Sequence, residues 1–508
     1  MEVSSDKIAS GRSEKTNEAF FEDAFEVVGH GRFNYIVLLT CGLIMLNVSM
    51  ESVGMSYAIT AAECELNLTS EHKGLVNAAA FIGIISTSFL WGYFGDRVGR
   101  RAVMLPALLA SAVFSVASSF AVDVWMLMFL RMLTGCLVSA SSATVYAYLG
   151  EMHMNSRRAS AIAWGSVFIS FSFITLPGLA WLIIPGKWSF ALFSFTVVPW
   201  RAFVWSWCAP GLVAALLLLF LPESPRYLLS AKGPDAALPV LAKMYSWNHR
   251  ASADQFPVDK IILTNMDSEK PAGFAGAIKN IGLMFRPPLL RCVFISHISM
   301  FSVFMLSSGL YVWVPELLNN ILKNTSEKSI TICEIIMEKL KKTEVSSCTV
   351  EVSIGVFPIS MAMGAVFALT YLAIGMFINK IGKKRLYCGI MIICGVATMG
   401  AAFVPQGGAA TALLILALCS GCAASILAAI AVDVFPTCLR AMAMCLMYMV
   451  GRTGAAVGSY LLGATMNTHC LAAFIVFGSI TMGSTILMLF WPKPEEVRDK
   501  LEQRGLTY

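Results

Sequence analysis

GYFGDRVGRR, residues 92–101, follows directly on the apolar run NAAAFIGIISTSFLW at 77–91. Only 13% of the chain is charged, yet Asp96, Arg97, Arg100 and Arg101 all fall within this one stretch. Laid over GMFINKIGKK at 375–384, it matches Gly92 to Gly375, Asp96 to Asn379, Gly99 to Gly382, and Arg100 and Arg101 to Lys383 and Lys384. EMHMNSRRA at 151–159 lies in the same way over DVFPTCLRA at 433–441, Glu151 on Asp433 and Arg158 on Arg440. The offsets are 283 positions (382 − 99) and 282 (440 − 158). Two motifs at nearly one spacing indicate an internal duplication.

What is duplicated follows from composition. The 508 residues are 57% hydrophobic and their mean hydropathy is +0.71, too apolar for a soluble domain and suited to the lipid bilayer as solvent. The net charge of +6 is spread through loops between apolar segments, which excludes a nucleic-acid partner. Windows of about 20 apolar residues predict membrane helices over 34–60, 73–95, 102–121, 124–148, 160–184 and 201–221, then 289–313, 354–378, 385–404, 410–432, 440–466 and 469–491. The fold class is therefore an all-α membrane protein, twelve transmembrane helices in two pseudo-symmetric six-helix halves.

In this alternating count Arg97, Arg100, Arg101, Arg157, Arg158, Lys380, Lys383, Lys384, Arg385 and Arg440 share one side, which the positive-inside rule makes cytoplasmic. The glycosylation sequons at Asn67 (NLT) and Asn324 (NTS) fall on the other. The expected organisation is a cytoplasmic amino-terminal segment 1–33, a first half 34–221, a cytoplasmic central loop 222–288, a second half 289–491 with an extracytoplasmic loop 314–353, and a cytoplasmic tail 492–508. No cleavable signal pattern precedes the first helix, which is expected to serve as the targeting signal. The central loop reads as short helices lying on the inner face, and SEKSITICEIIMEKLKKTE at 326–344 as a solvated amphipathic helix.

Gly92 and Gly375 lack side chains where a helix end would approach a neighbour closely, Asp96 suits a helix amino-terminal dipole, and the adjoining arginines can bridge carboxylates such as Glu151. The repeated charges are expected to latch the two halves together; the plainer reading is that they anchor the loops at lipid headgroups. Two six-helix halves joined by this repeated loop resemble the major facilitator superfamily. Within it, LPESPRYLLSAKG at 221–233 looks like a segment shared by sugar porters and organic-ion transporters. FEDAFEVVGHGRFNY at 21–35, WLIIPGKWSF at 181–190 and PWRAF at 199–203 are similar to the synaptic vesicle glycoprotein branch. The resemblance implies a multi-pass protein of the plasma membrane or an intracellular vesicle membrane. It departs at Val48, where relatives carry an acid, and at Ser307, Ser308, Ala424 and Ala428, which are aromatic or acidic there, so a relative's substrate does not transfer.

Ionisable side chains at membrane depth cost several kcal/mol and mark functional sites. Three stand out: Glu51 past the middle of the first helix, Arg131 in the fourth and Arg452 in the eleventh. In the resembled fold the first and fourth helices line a central cavity, which implies that Glu51 and Arg131 pair across it. Either they form a structural ion pair or Glu51 takes up a proton or cation and releases Arg131. Arg452 has no acid in its own helix, and the small residues of GRTGAAVG (451–458) admit a close neighbour. Its position resembles a basic residue of organic-anion transporters and implies an anionic solute; pairing with a backbone carbonyl or with Glu51 is the alternative. His297 either joins a proton relay or satisfies one hydrogen bond at a helix interface.

Among the 14 cysteines, Cys64, Cys333 and Cys348 lie in polar loops where a disulfide can form, whereas CSGC at 419–422 reads as helix packing. Trp164, Trp181, Trp188, Trp200, Trp205, Trp207 and Trp313 read mostly as interfacial belts, and the 28 methionines as adaptable packing. No G-x-x-x-x-G-K-[ST] loop, nucleophile–base pair, metal set or cofactor motif appears, so the chain reads as no enzyme. The expected function is secondary transport of a small organic solute, an organic anion by preference, by alternating access with a coupling proton or cation. Glu51, Arg131, Arg452 and His297 are the binding candidates. The gating candidates are Gly92, Asp96, Arg97, Gly99, Arg100, Arg101, Glu151, Arg158, Gly375, Asn379, Lys380, Gly382, Lys383, Lys384, Asp433 and Arg440, with Glu223 and Arg226 tying in the central loop. The rival is a receptor or trafficking protein that keeps the fold without turnover, suggested by the acid lost at Asn379.

Overall fold

The computed structural model describes residues 18–192, 195–262, 282, 284–323, 330–343, 352–435, 437–492, 495–497 and 499. The apolar windows are helices that cross a membrane's thickness: α1 Arg32–Ala62, α2 Ser70–Val98, α3 Arg100–Ser118, α4 Val124–Glu151, α5 Asn155–Ile183, α6 Pro199–Phe220, α7 Leu289–Tyr311, α8 Val356–Ile381, α9 Lys383–Phe403 and α10 Gly407–Val432. The last stretch, Thr437–Leu489, leaves helical geometry at His469 (φ −136°, ψ 43°), which divides it into α11 before and α12 after. The count of twelve is that read from the sequence. Several helices outrun their apolar windows, so that Asp96, Arg97 and Glu151 sit in final helical turns and Arg157 and Arg158 in a first one.

Within each half the helices meet through small residues. A Cβ built on Gly83 of α2 would lie 2.1 Å from the Met132 carbonyl oxygen of α4, and one on Gly135 of α4 would lie 2.2 Å from that of Ala80. In the other half Gly454 of α11 meets the Phe301 carbonyl of α7 at 2.2 Å in the same sense. By contrast nothing lies within 4 Å of such an atom at Gly92 or Gly375. The expectation that these two glycines admit a close helix is therefore corrected: the tight crossings come nearer mid-helix.

The halves touch along α2 with α11 and α5 with α8. Gly74 lies against Gly463, its added Cβ 3.2 Å from that residue's Cα, and Gly364 of α8 faces the Phe173 carbonyl of α5 at 2.6 Å. The Phe173 ring stands edge-on between Tyr311 of α7 (centroids 5.0 Å apart) and Phe367 of α8 (5.2 Å). Most of these contacts cluster toward the end that carries Asn67, the sequon end; the arginine loops mark the opposite, basic end.

On the basic end a small platform packs against the first half. Helices Pro225–Lys232 and Pro234–His249 lie with an amphipathic helix, Phe21–Val28, whose Phe21, Ala24, Phe25 and Val28 are buried. Strand Glu18–Phe20 pairs in parallel with Lys260–Ile262. On the sequon end, helix Val314–Lys323 buries Glu316, Asn319 and Asn320, and the amphipathic helix Ile332–Thr343 buries Ile332, Ile335 and Ile336. The second helix is stapled by a Cys333–Cys470 disulfide. Cys333 thus bonds a cysteine at the α11–α12 kink rather than one in another polar loop. Cys64 is also disulfide-bonded, while Cys348 lies outside the described residues. Cys419 and Cys422 are buried free thiols in a 3-10 turn of α10.

Candidate functional site

Glu51 and Arg131 meet directly. Arg131 Nη1 donates to Glu51 Oε2 at 2.9 Å, and its Nη2 to the Glu51 backbone carbonyl. Ser115 of α3 donates to the same carboxylate oxygen at 3.0 Å, and the Cys208 thiol of α6 lies 3.6 Å from the other. Trp207, fully buried, donates its indole N–H to Ser115 Oγ at 3.1 Å and sets its ring 5.6 Å from the Arg131 guanidinium. The partners come from α1, α3, α4 and α6. The pair therefore lies inside the first half rather than across a cavity between halves, because α1 and α4 turn their charged residues toward α3 and α6. Exposures of 2% and 1% make each charge dependent on the other.

Arg452 is placed differently. Its Nη2 reaches from α11 across the interface to Ser142 Oγ of α4 at 2.6 Å, and no described carboxylate lies within ion-pair distance of it. Tyr146 of α4 and Tyr448 of α11 stand close enough to feel its charge, and Tyr371 of α8 stands near both. Tyr448 packs edge-on against Phe304 of α7, centroids 6.2 Å apart. Tyr146 and Tyr371 are 37% and 40% exposed. With Tyr448 and Arg452 they put three phenols and one described cation together at the junction of the halves. The tyrosines escape sequence reasoning because a Tyr in an apolar run has the pattern of a belt residue; only their convergence on Arg452 distinguishes them. The structure does not bring Arg452 to Glu51. His297 joins neither: its Nδ1 lies 3.3 Å from Ser296 Oγ on its own helix, and its Nε2 has no hydrogen-bond partner among the described residues.

The tryptophans divide. Trp164, Trp181 and Trp188 are exposed as belts, but Trp200, Trp207 and Trp313 are interior, a correction of the belt reading for these three. Each has an acceptor for its N–H: the exposed Glu65 for Trp200, and the buried Ser115 hydroxyl and Ser459 carbonyl for Trp207 and Trp313.

At the basic end the first charge cluster is well formed. Arg100 donates to Asp96 at 2.9 Å and forms an ion pair with Glu151 at 3.1 Å, with its guanidinium 5.2 Å over the Tyr227 ring. Glu223 accepts from the Arg101 and Ala102 backbone N–H groups at 3.0 and 3.1 Å, capping the positive end of α3. Gly99 makes this possible: φ is +120°, and an added Cβ would lie 2.4 Å from the Glu223 carboxylate. Arg101 donates to the Leu218 and Leu219 carbonyls, Tyr227 to that of Arg97, and Arg158 fills the space left by Gly150. Arg226 grips both oxygens of Glu22, at 2.7 and 3.0 Å, fastening the platform.

The second copy is sparser. Lys383 bonds Asp433 at 2.6 Å and Lys384 the Leu489 carbonyl at 3.0 Å, Gly382 repeats a positive φ of 93°, and Lys380 is exposed. The side chains of Asn379 and Arg440, and all of Asn324, lie outside the described residues. Among the described residues every ion pair of these clusters stays within its own half, so no latch between the halves is formed in this state.

Beside the platform, His153 is buried with Nδ1 2.8 Å from the Leu149 carbonyl and its ring 5.8 Å from that of His30. Burial, helped by the neighbouring His30, pushes it down to about 4 against the pull of the carbonyl; burial first and then Arg157 lower His30.

A family model described as Major Facilitator Superfamily matches residues 37–337 and 330–507. Synaptic vesicle glycoprotein 2B of Mus musculus is 30% identical over 233 residues, 46% of this chain and 34% of that protein. Synaptic vesicle glycoprotein 2A of Homo sapiens is 30% identical over 233 residues, 46% of this chain and 31% of that one. The match thus spans about a third of these relatives' length. The xylose transporter XylE from E. coli in an inward open conformation superposes with a TM-score of 0.65 at 17% identity, covering 92% of this chain and 99% of that one. Its partially occluded form gives 0.64, covering 91% and 100%. At such identity the likeness concerns the fold.

Proposed function

The chain belongs to the Major Facilitator Superfamily, and from that premise we propose that it is a secondary transporter of a small organic anion, coupled to protons and working by alternating access. The basic end is cytoplasmic in this reading, with both termini, and the halves rock about a hollow that this reading places at Arg452. The observation that carries it is Arg452 itself: a cation at the interface of the halves whose described partner is a single hydroxyl, walled by Tyr146, Tyr371 and Tyr448. A carboxylate entering from water supplies the counter-charge this guanidinium lacks, and the phenols offer hydrogen bonds and flat surface beside it. The curated relatives are named vesicle glycoproteins and a structural neighbour a proton symporter of D-xylose; neither name carries over a substrate.

Coupling is assigned to Glu51. Protonating it removes the charge that holds Arg131, and the freed guanidinium then reorganises α1 against α4, the helix that also carries Ser142 and Tyr146 beside Arg452. Vesicles containing purified protein test this with a radiolabelled organic-anion panel and an imposed pH gradient. Wild-type uptake follows the gradient; Glu51→Gln retains exchange of the same solute but loses its response to the gradient, and unaltered coupling in that variant overturns the assignment. The second reading, a receptor or trafficking protein without turnover, is favoured by Asn379, where the second loop copy has lost its acid.

A further inference from the structure

The basic-end clusters leave the halves untied, but the sequon end carries a charge cluster that spans them. Lys73, in the first turn of α2, is 1% exposed. Its Nζ lies 2.7 Å from Glu316 Oε1, on helix Val314–Lys323 of the second half, and 3.1 Å from Glu63 Oε1, just past α1 in its own half. The surrounding seam is tight: Ser70 donates to Asn467 at 3.1 Å, Ser459 to the Gly74 carbonyl at 3.2 Å, and the Tyr57 and Tyr311 hydroxyls face each other. Among the described residues Lys73–Glu316 is the ion pair that crosses between halves.

We propose that Lys73–Glu316 is the latch that holds the sequon end shut, and that Glu63 is its keeper, retaining the ammonium when the latch opens. The inference rests on the alternating-access reading. A buried ammonium without a counter-charge is costly, so a latch formed of Lys73 and Glu316 alone would strand it as the halves part. Glu63 travels with Lys73 and prevents this, while Glu316 passes into water. The two carboxylates beside one lysine therefore act in opposite senses: Glu316 stabilises the closed sequon end and Glu63 lowers the cost of opening it.

Hydrogen–deuterium exchange of the full-length protein in lipid nanodiscs, without any solute, separates them. Glu316→Gln is expected to speed exchange in 70–80 and 455–468 by about tenfold, the worth of one charged hydrogen bond, and to slow it in 437–450 at the basic end. Glu63→Gln is expected to slow exchange in 70–80 and 455–468. A cluster that only glues the fold loosens in both variants alike, and that result overturns the proposal, as does an unchanged Glu316→Gln. If Glu316→Gln does not fold, Glu63→Gln decides by itself, since unchanged or faster exchange contradicts the keeper. Because no transport is read, failure here is distinct from failure of uptake.

Discussion

At the scale of single residues, the proposed cycle divides two tasks between two charges at membrane depth, Glu51 and Arg452. Glu51 has both carboxylate oxygens engaged inside one half, so that in the proposed cycle any change at it is passed directly to α3, α4 and α6. Arg452 has donors beyond the one that meets Ser142, which suits the anion recognition proposed for it. Replacing it separates charge from geometry: Arg452→Lys keeps the charge and loses the planar fork, and Arg452→Ala loses both. Anion binding is expected to weaken about tenfold in the first and about a hundredfold in the second, from the worth of charged hydrogen bonds. Scintillation proximity binding on purified protein measures it, and equal losses in the two variants would mean that shape alone is lost. Both charges are legible in the sequence because ions are rare at membrane depth. Their partners are not: Ser115, Cys208 and Trp207 look like ordinary residues of apolar helices, and the tyrosine wall exists only after α4, α8 and α11 converge.

At the scale of elements, helix existence was readable from hydropathy, whereas the places where helices touch were not. Gly92 and Gly375 repeat in sequence yet face open space, while Gly83 and Gly135, in no evident motif, bring α2 and α4 into backbone contact. Gly83→Ala is expected to destabilise the first half by ~1–3 kcal/mol through overpacking, seen as an early melt by scanning fluorimetry, while Gly92→Ala leaves the melt unchanged. The platform carries a pH signature. His153 has a folded pKa of about 4, below the unfolded value of about 6.5, so the unfolded chain binds the extra proton between those values. Stability is full above about pH 6.5 and is lost progressively as pH falls toward 4. His153→Gln flattens the melting temperature across that window; an identical slope in wild type and variant would remove His153 as its source.

The whole molecule is a doubled bundle whose halves, in this state, join at the sequon end and carry separate charge clusters at the basic end. The duplication was legible because two motifs recur at one offset. The state was not, because sequence records which charges exist and not which of them are paired at a given moment; the expected latch of Asp96, Arg100 and their repeats is found instead as pairs within each half. Orientation is testable by glycan mapping. Asn67 is exposed at a turn with φ +48°, so Asn67→Gln is expected to remove one glycan, read as a single mobility step that glycosidase treatment abolishes; unchanged mobility in that variant would contradict this orientation.

The central claim is that solute crosses through the hollow at Arg452, and counterflow tests it most directly. Vesicles preloaded with millimolar unlabelled organic anions, diluted into trace labelled anion, are predicted to accumulate label transiently above equilibrium with wild-type protein and not with Arg452→Ala. Folded wild-type protein that gives no overshoot with any anion, cation or sugar of a broad panel would contradict the account.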